Sequence, residues 1–170
     1  MNNLSKAMVP EYDQEMATTR RVLERVPEGD FEWRPHAKSM TIGRLATHVA
    51  ELAGWAPNLL QRDSLDIAPP DGPGYKPQTL GSRQEILDLF DKNVATTREL
   101  LASTDDETFM QPWTFLRGGQ TIFTLPRAAV VRTMLFNHII HHRGQLTVYL
   151  RLNDAPVPSV YGPTADEPLF

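Results

Sequence analysis

The chain contains no cysteine. That excludes a disulfide framework and any thiolate metal site, and it fits a reducing compartment. It also has little net charge, −4 over 170 residues, and the excess is acidic. Nucleic acid and anionic membrane surfaces both call for a basic face, so neither is an expected partner. No apolar run approaches the ~18 residues of a membrane span. The opening MNNLSKAMVPEYDQEM lacks the apolar stretch of a signal peptide. The expected location is the cytoplasm.

What remains is an ordinary globular composition, 41% hydrophobic and 22% charged. The length suits one domain with one core, spanning residues 1–170. Tyr12, Met16, Leu23 and Val26 recur at helical spacing and predict a helix over 11–26, stopped by Pro27 and Gly29. Thr41 is placed to cap a second helix over 42–61 with Leu45, Leu52, Trp55 and Leu59 on one face, and Pro57 is positioned to kink or shorten it. Residues 63–81 hold four prolines and three glycines and read as a long crossover. Ser82 and Glu85 form a capping-box pattern. The helix they open runs to about Ser103, with Ile86, Phe90, Asn93, Thr97, Leu100 and Leu101 inward. Residues 111–126 are strand-like around Gly118-Gly119 and predict a small β-hairpin. Pro126 suits the first turn of a fourth helix ending near Asn153. The expected fold is all-α: a four-helix bundle with this hairpin before helix 4. The crossover between helices 2 and 3 favours an up-down-down-up order, with up-down-up-down as the alternative.

Three of the five histidines fall in NHIIHHRGQLTVYLR, residues 137–151. At roughly 100° per residue, His138 and His142 lie in the inward stripe of helix 4 with Val131, Met134, Leu135, Leu146 and Tyr149. They are four residues apart and share a face. His48 sits on the inward face of helix 2. A buried imidazole without partners costs roughly 1–3 kcal/mol. A single one is usually just hydrogen-bonded. Three converging neutral imidazoles compete for donors, and a divalent metal resolves that by accepting all three lone pairs. His48, His138 and His142 are therefore the candidate metal ligands. His141 falls to the side, either a base beside the metal or a surface residue; His36 reads as solvent-facing. Arg143 can serve a substrate carboxylate or bond to the tail. Gly144, inside a helix at a cost of ~1 kcal/mol, predicts a close neighbouring backbone. Trp33, Trp55 and Trp113 read as core or as the walls of a pocket.

TIGRLATHVAEL (41–52), FNHIIHHRGQLTVYLR (136–151) and PSVYGPTADE (158–167) together resemble the DinB-like (damage-inducible) family of metal-binding four-helix bundles, over essentially the whole chain. The resemblance implies one ligand histidine on helix 2 and two, four apart, on helix 4, at His48, His138 and His142. It also implies a homodimer, and for some members transfer of a low-molecular-weight thiol.

Three histidines leave a coordination position open, as catalytic rather than structural sites do. The expected function is a metal-dependent enzyme acting on a small-molecule substrate, such as a low-molecular-weight-thiol S-transferase for small electrophiles. A metal-dependent hydrolase and a non-catalytic metal- or ligand-binding stress-response protein are the alternatives. Imidazole donors suit zinc, nickel or iron. A second apolar stripe on helix 4, Ala129, Phe136 and Ile140, lies within roughly 40° on the wheel. It is to be covered by the hairpin or tail, or by helix 4 of a second copy.

Overall fold

A computed structural model of the chain describes residues 3–168. In chain order its elements are α1 (Asn3–Leu23), α2 (Ile42–Leu52), α3 (Ala56–Leu60), β1 (Ser64–Asp66), α4 (Arg83–Ser103), α5 (Asp106–Met110), β2 (Pro112–Arg117), β3 (Gln120–Pro126), α6 (Arg127–Val130), a π-helical segment (Val131–Asn137) and α7 (His138–Leu152). The fold is mostly helical with one small sheet. Helices α1 and α2 each pack against both α4 and α7. Tyr12, Ile42, Leu45, Leu52, Phe90, Leu135 and Leu146 are buried between them, and each large side chain taken fully out of water contributes roughly 1.5–3 kcal/mol. No helix among the described residues is long and apolar enough to cross a membrane.

Two predicted caps are made as expected. Thr41 Oγ1 accepts from the Arg44 amide at 3.2 Å. Ser82 and Glu85 bond reciprocally to each other's backbone amides.

The first helix starts eight residues earlier than its periodicity predicts, at Asn3 rather than residue 11, and includes Pro10. The reason is a cap supplied from elsewhere in the chain. The Asp106 carboxylate accepts from the amides of Asn3 and Leu4, each at 3.0 Å, and Ser5 Oγ donates to the Leu101 carbonyl at 2.8 Å.

The expected helix over 42–61 is divided into α2 and α3. Pro57 has no amide proton to give the Ala53 carbonyl four residues back. That carbonyl instead accepts the hydroxyls of Tyr12 at 3.1 Å and Thr97 at 2.6 Å. Gly54 stands at the break, where a Cβ would come within 2.6 Å of the Asn93 side chain. Asn93 there donates to the Ala50 carbonyl at 2.9 Å.

The hairpin forms around Gly118 and Gly119, whose φ values of 62° and 75° suit a type I′ turn. It has a third member that corrects the all-α expectation. β1, inside the crossover, pairs in parallel with β2, Ser64 opposite Thr114. Asp66 holds this junction, its carboxylate accepting from the amides of Ala68, Gly118 and Gly119 at 2.7–3.0 Å. Arg127 fastens the other end, donating to the carbonyls of Leu59 and Arg62 and to Asp63.

Helix 4 is not uniformly α. The π segment runs directly into His138. Wider turns of this kind rotate the later residues of a helix relative to the earlier ones, so Ala129 loses its wheel alignment with Phe136 and Ile140. The second apolar stripe meets its own chain. Phe136 is buried edge-on against Tyr12, with ring centroids 5.8 Å apart. Ile140 is half-buried and lines a cavity of about 230 Å³ with Val160 and Tyr161 of the tail. The stripe therefore ceases to be an argument for a second copy. Gly144 is corrected too: nothing lies within 4 Å of where its Cβ would be.

Candidate metal centre

α2 and α7 face each other, and each brings imidazole to the contact. From α2 comes His48; from one turn apart on α7 come His138 and His142. One ring nitrogen from each residue lies within 4.8 Å of the other two. Ring centroids are 5.3 Å apart for His48 and His138, 4.7 Å for His48 and His142, and 4.8 Å for His138 and His142. His48 and His142 are buried and His138 is half-buried.

Burial dominates the electrostatics. It pushes the His138 imidazolium down to about 4, helped by the neighbouring His142, His48 and His141 rings. His142 is lowered by the same desolvation, against a hydrogen bond to Gln145. At neutral pH these two rings are neutral and keep a lone pair each, the form that ligates a cation.

The surrounding groups orient the rings. His142 Nδ1 lies 2.7 Å from Gln145 Oε1. A carbonyl oxygen only accepts, so the proton sits on Nδ1 and Nε2 carries the lone pair. His48 Nδ1 is 3.5 Å from Glu51 Oε2. Glu51 also takes Arg44 Nη2 and the Tyr75 hydroxyl, each at 2.9 Å. Burial raises the Glu51 carboxyl, but the hydrogen bonds from His48, Arg44 and Tyr75, with the Arg44 charge, outweigh it and hold the group below its ordinary value. Arg44 Nη1 is buried without a partner. Three converging imidazoles with polar partners behind two of them fit a divalent ion.

Sequence reasoning missed this Arg44–Glu51–Tyr75 set. Arg44 and Glu51 had a legible signal, since they lie four before and three after His48 on the same helix face. Tyr75 had none, because it arrives from the crossover.

The other marked residues fall outside the cluster. His141 is exposed, its ring 4.9 Å from that of His142. His36 is exposed in its loop. Arg143 points away from the imidazoles and toward α1, so the tail reading of it is the one realised. Trp113 is core, donating to the Asn58 carbonyl at 2.9 Å. Trp33 packs edge-on to Tyr149. Trp55 stands edge-on to His138 at 6.0 Å and lines a cavity of about 850 Å³ that opens at His48 and His138.

Comparison with known proteins places this geometry. The family model for the DinB superfamily matches residues 11–146. An uncharacterized protein, YrdA, of Bacillus subtilis (strain 168) is 27% identical over 157 residues, covering 92% of this chain and 87% of its own. The crystal structure of a DinB-like protein from Bacillus cereus ATCC 10987 matches with a TM-score of 0.68 at 21% identity, over 92% of this chain and 97% of that one. A second DinB-like protein, YjoA of Bacillus subtilis, matches with a TM-score of 0.66 at 15% identity, over 91% and 97%. At those identities the two crystal structures speak for the fold alone.

Proposed function

The chain belongs to the DinB superfamily, and from that premise we propose that it is a metal-dependent enzyme that transfers a low-molecular-weight thiol to a small electrophile. His48, His138 and His142 hold one divalent ion in this reading, zinc, nickel or iron. The observation that carries it is the set of three imidazole nitrogens within 4.8 Å beside a cavity of about 850 Å³. A closed structural site surrounds its ion with four protein ligands; three ligands beside a cavity leave room for a reactant. A divalent ion held there supplies a lowered pKa for a thiol or water brought to it, and so a nucleophile at neutral pH.

The chain's own residues do the rest. Gln145 fixes the His142 tautomer, and Glu51 with Arg44 orients His48. Trp55, Phe115 and Met134 give the cavity apolar surface for the body of a reactant. The net reaction joins the thiol sulfur to the electrophilic carbon and releases the leaving group with the thiol proton.

The same reading includes an up-down-down-up bundle. Its support is the pairing along the helices. Arg20 of α1 meets Asp91 of α4 while Ser5 meets Leu101, an antiparallel pair. Asn93 of α4 meets Ala50 of α2 while Thr97 meets Ala53 at the α2 C-cap, which supports α2 running parallel to α4. A cytoplasmic homodimer completes the proposal, its support being the family resemblance; light scattering at micromolar concentration decides it.

The test is an assay of the purified protein with its native metal, measuring consumption of a chromogenic electrophile with and without a low-molecular-weight thiol. Thiol-dependent turnover that a chelator abolishes is the expected result. Metal-dependent hydrolysis without thiol would move the reading to a hydrolase. Metal binding without any turnover would move it to a binding protein.

A further inference from the structure

The cavity beside the histidines has an apolar wall and unpaired positive charge. Trp55, Leu65, Ile67, Phe115 and Met134 supply the wall. Two solvent-exposed arginines line the same space, Arg62 just beyond α3 and Arg117 at the end of β2. Each lines the cavity together with an aromatic residue close to it in the sequence. Arg62 lies seven positions after Trp55, and Arg117 two after Phe115, so each arginine continues a wall. Among the described residues neither side chain has a salt bridge, whereas Arg20, Arg44, Arg98, Arg127, Arg132, Arg143 and Arg151 all do. One carboxylate also lines the cavity, that of Asp66, and its oxygens are already engaged by three backbone amides. The two arginines thus outnumber the one carboxylate of the cavity, which is bonded to backbone amides and to neither guanidinium, in a cleft that focuses their field.

We infer that the cavity takes a small organic anion: an aromatic or aliphatic body against Trp55 and Phe115, with a carboxylate or like group drawn by Arg62 and Arg117. This rests on the thiol-transfer reading only for what the anion is for; the anion site stands on the arginines and the wall. Arginine suits the role because its planar fork can pair with a carboxylate through two hydrogen bonds. The anionic group can belong to the electrophile or to the thiol, and the two sources share this chemistry.

The test is calorimetry on the full-length protein, zinc-loaded and metal-free, with phenylalkanoates from phenylacetate to 6-phenylhexanoate and the matching neutral alcohols. The expected result is at least one acid bound at least tenfold more tightly than its alcohol in both forms, with affinity falling as salt rises. R62Q/R117Q should remove that preference, leave alcohol binding unchanged and keep the helical circular dichroism. Failure of every acid to exceed its alcohol, or an undiminished preference in R62Q/R117Q, overturns the inference. Zinc titration separates this from the metal reading. Tight zinc binding without acid preference removes the anion site alone. Acid preference without zinc binding keeps the anion site and removes the metal. Competition by glutathione assigns the site to the thiol, and acid binding that glutathione leaves intact assigns it to the electrophile; either keeps the inference.

Discussion

His142 and Arg143 are consecutive on α7, both are buried, and they point about 100° apart into different company. Arg143 is 2% exposed and is bonded by residues of its own chain. It donates to the Glu15 carbonyl, Thr19 Oγ1 and the Tyr161 hydroxyl at 2.9–3.1 Å, and Glu15 Oε2 is 2.7 Å away. Tyr161 in turn donates to Glu15 Oε1 at 2.7 Å. This side joins α1, α7 and the tail. His142 has Gln145 on one nitrogen and, on the other side, two more imidazoles that themselves line a cavity. A polar cluster bonded within its own chain holds a fold together. One that keeps lone pairs free next to open space could hold a metal ion.

The largest expected effect lies on the satisfied side. Arg143→Met would leave Glu15 a buried charge without its partner, which costs about 3–5 kcal/mol. Urea unfolding measures it. Zinc affinity of the folded fraction should stay at the wild-type value, and a change there would show that the two sides of α7 are one system.

On the open side, His138→Ala should remove zinc-dependent stabilisation while the metal-free protein stays folded. Wild-type protein at a hundredfold zinc excess over its dissociation constant should gain about 2.7 kcal/mol, and chelation should return it to the metal-free stability with helical circular dichroism intact. Collapse of the helical signal on chelation would contradict a core that stands without metal. An unchanged zinc shift in the variant would contradict the ligand set.

Next in size is Gln145→Ala. Losing the acceptor that orients His142 should weaken zinc binding about 10–100-fold, with calorimetry as the readout. Little change in unfolding free energy is expected, because Gln145 is exposed. The smallest effect belongs to Tyr75→Phe. It removes hydrogen bonds to Glu51 and Arg44 at 2.9 and 2.7 Å, worth roughly 0.5–1.5 kcal/mol together and at the lower end because the tyrosine is half-exposed. A loss of several kcal/mol would mean that the crossover is a structural brace rather than a cavity wall.

Where sequence reading succeeded, the cause was local. The Ser82–Glu85 box, the Gly118-Gly119 turn and the inward faces of α4 and α7 depend on residues within four positions of one another. Where it failed, the partner was distant. β1 is three residues long, and it is a strand because Thr114, fifty positions on, lies opposite Ser64. The short α5 escaped notice, although Asp105 caps it. α1 extends back to Asn3 because Asp106 caps it from outside the helix. The π segment escaped a wheel drawn at constant pitch, and with it went the case for a second apolar stripe.

The sequence by itself determined that two helices would aim three imidazoles at one core, because helical phase is a property of spacing along the chain. It also determined the absence of thiolate ligands, since the chain has no cysteine. Only the tertiary structure decided that Arg143 would be spent on Glu15 and the tail, that Arg44, Glu51 and Tyr75 would gather behind His48, and that a cavity would open against two of the three histidines. Those are contacts between residues tens of positions apart, and no periodicity encodes which distant surfaces meet; the packing of α1, α2, α4 and α7 and the pairing of β1 with β2 do.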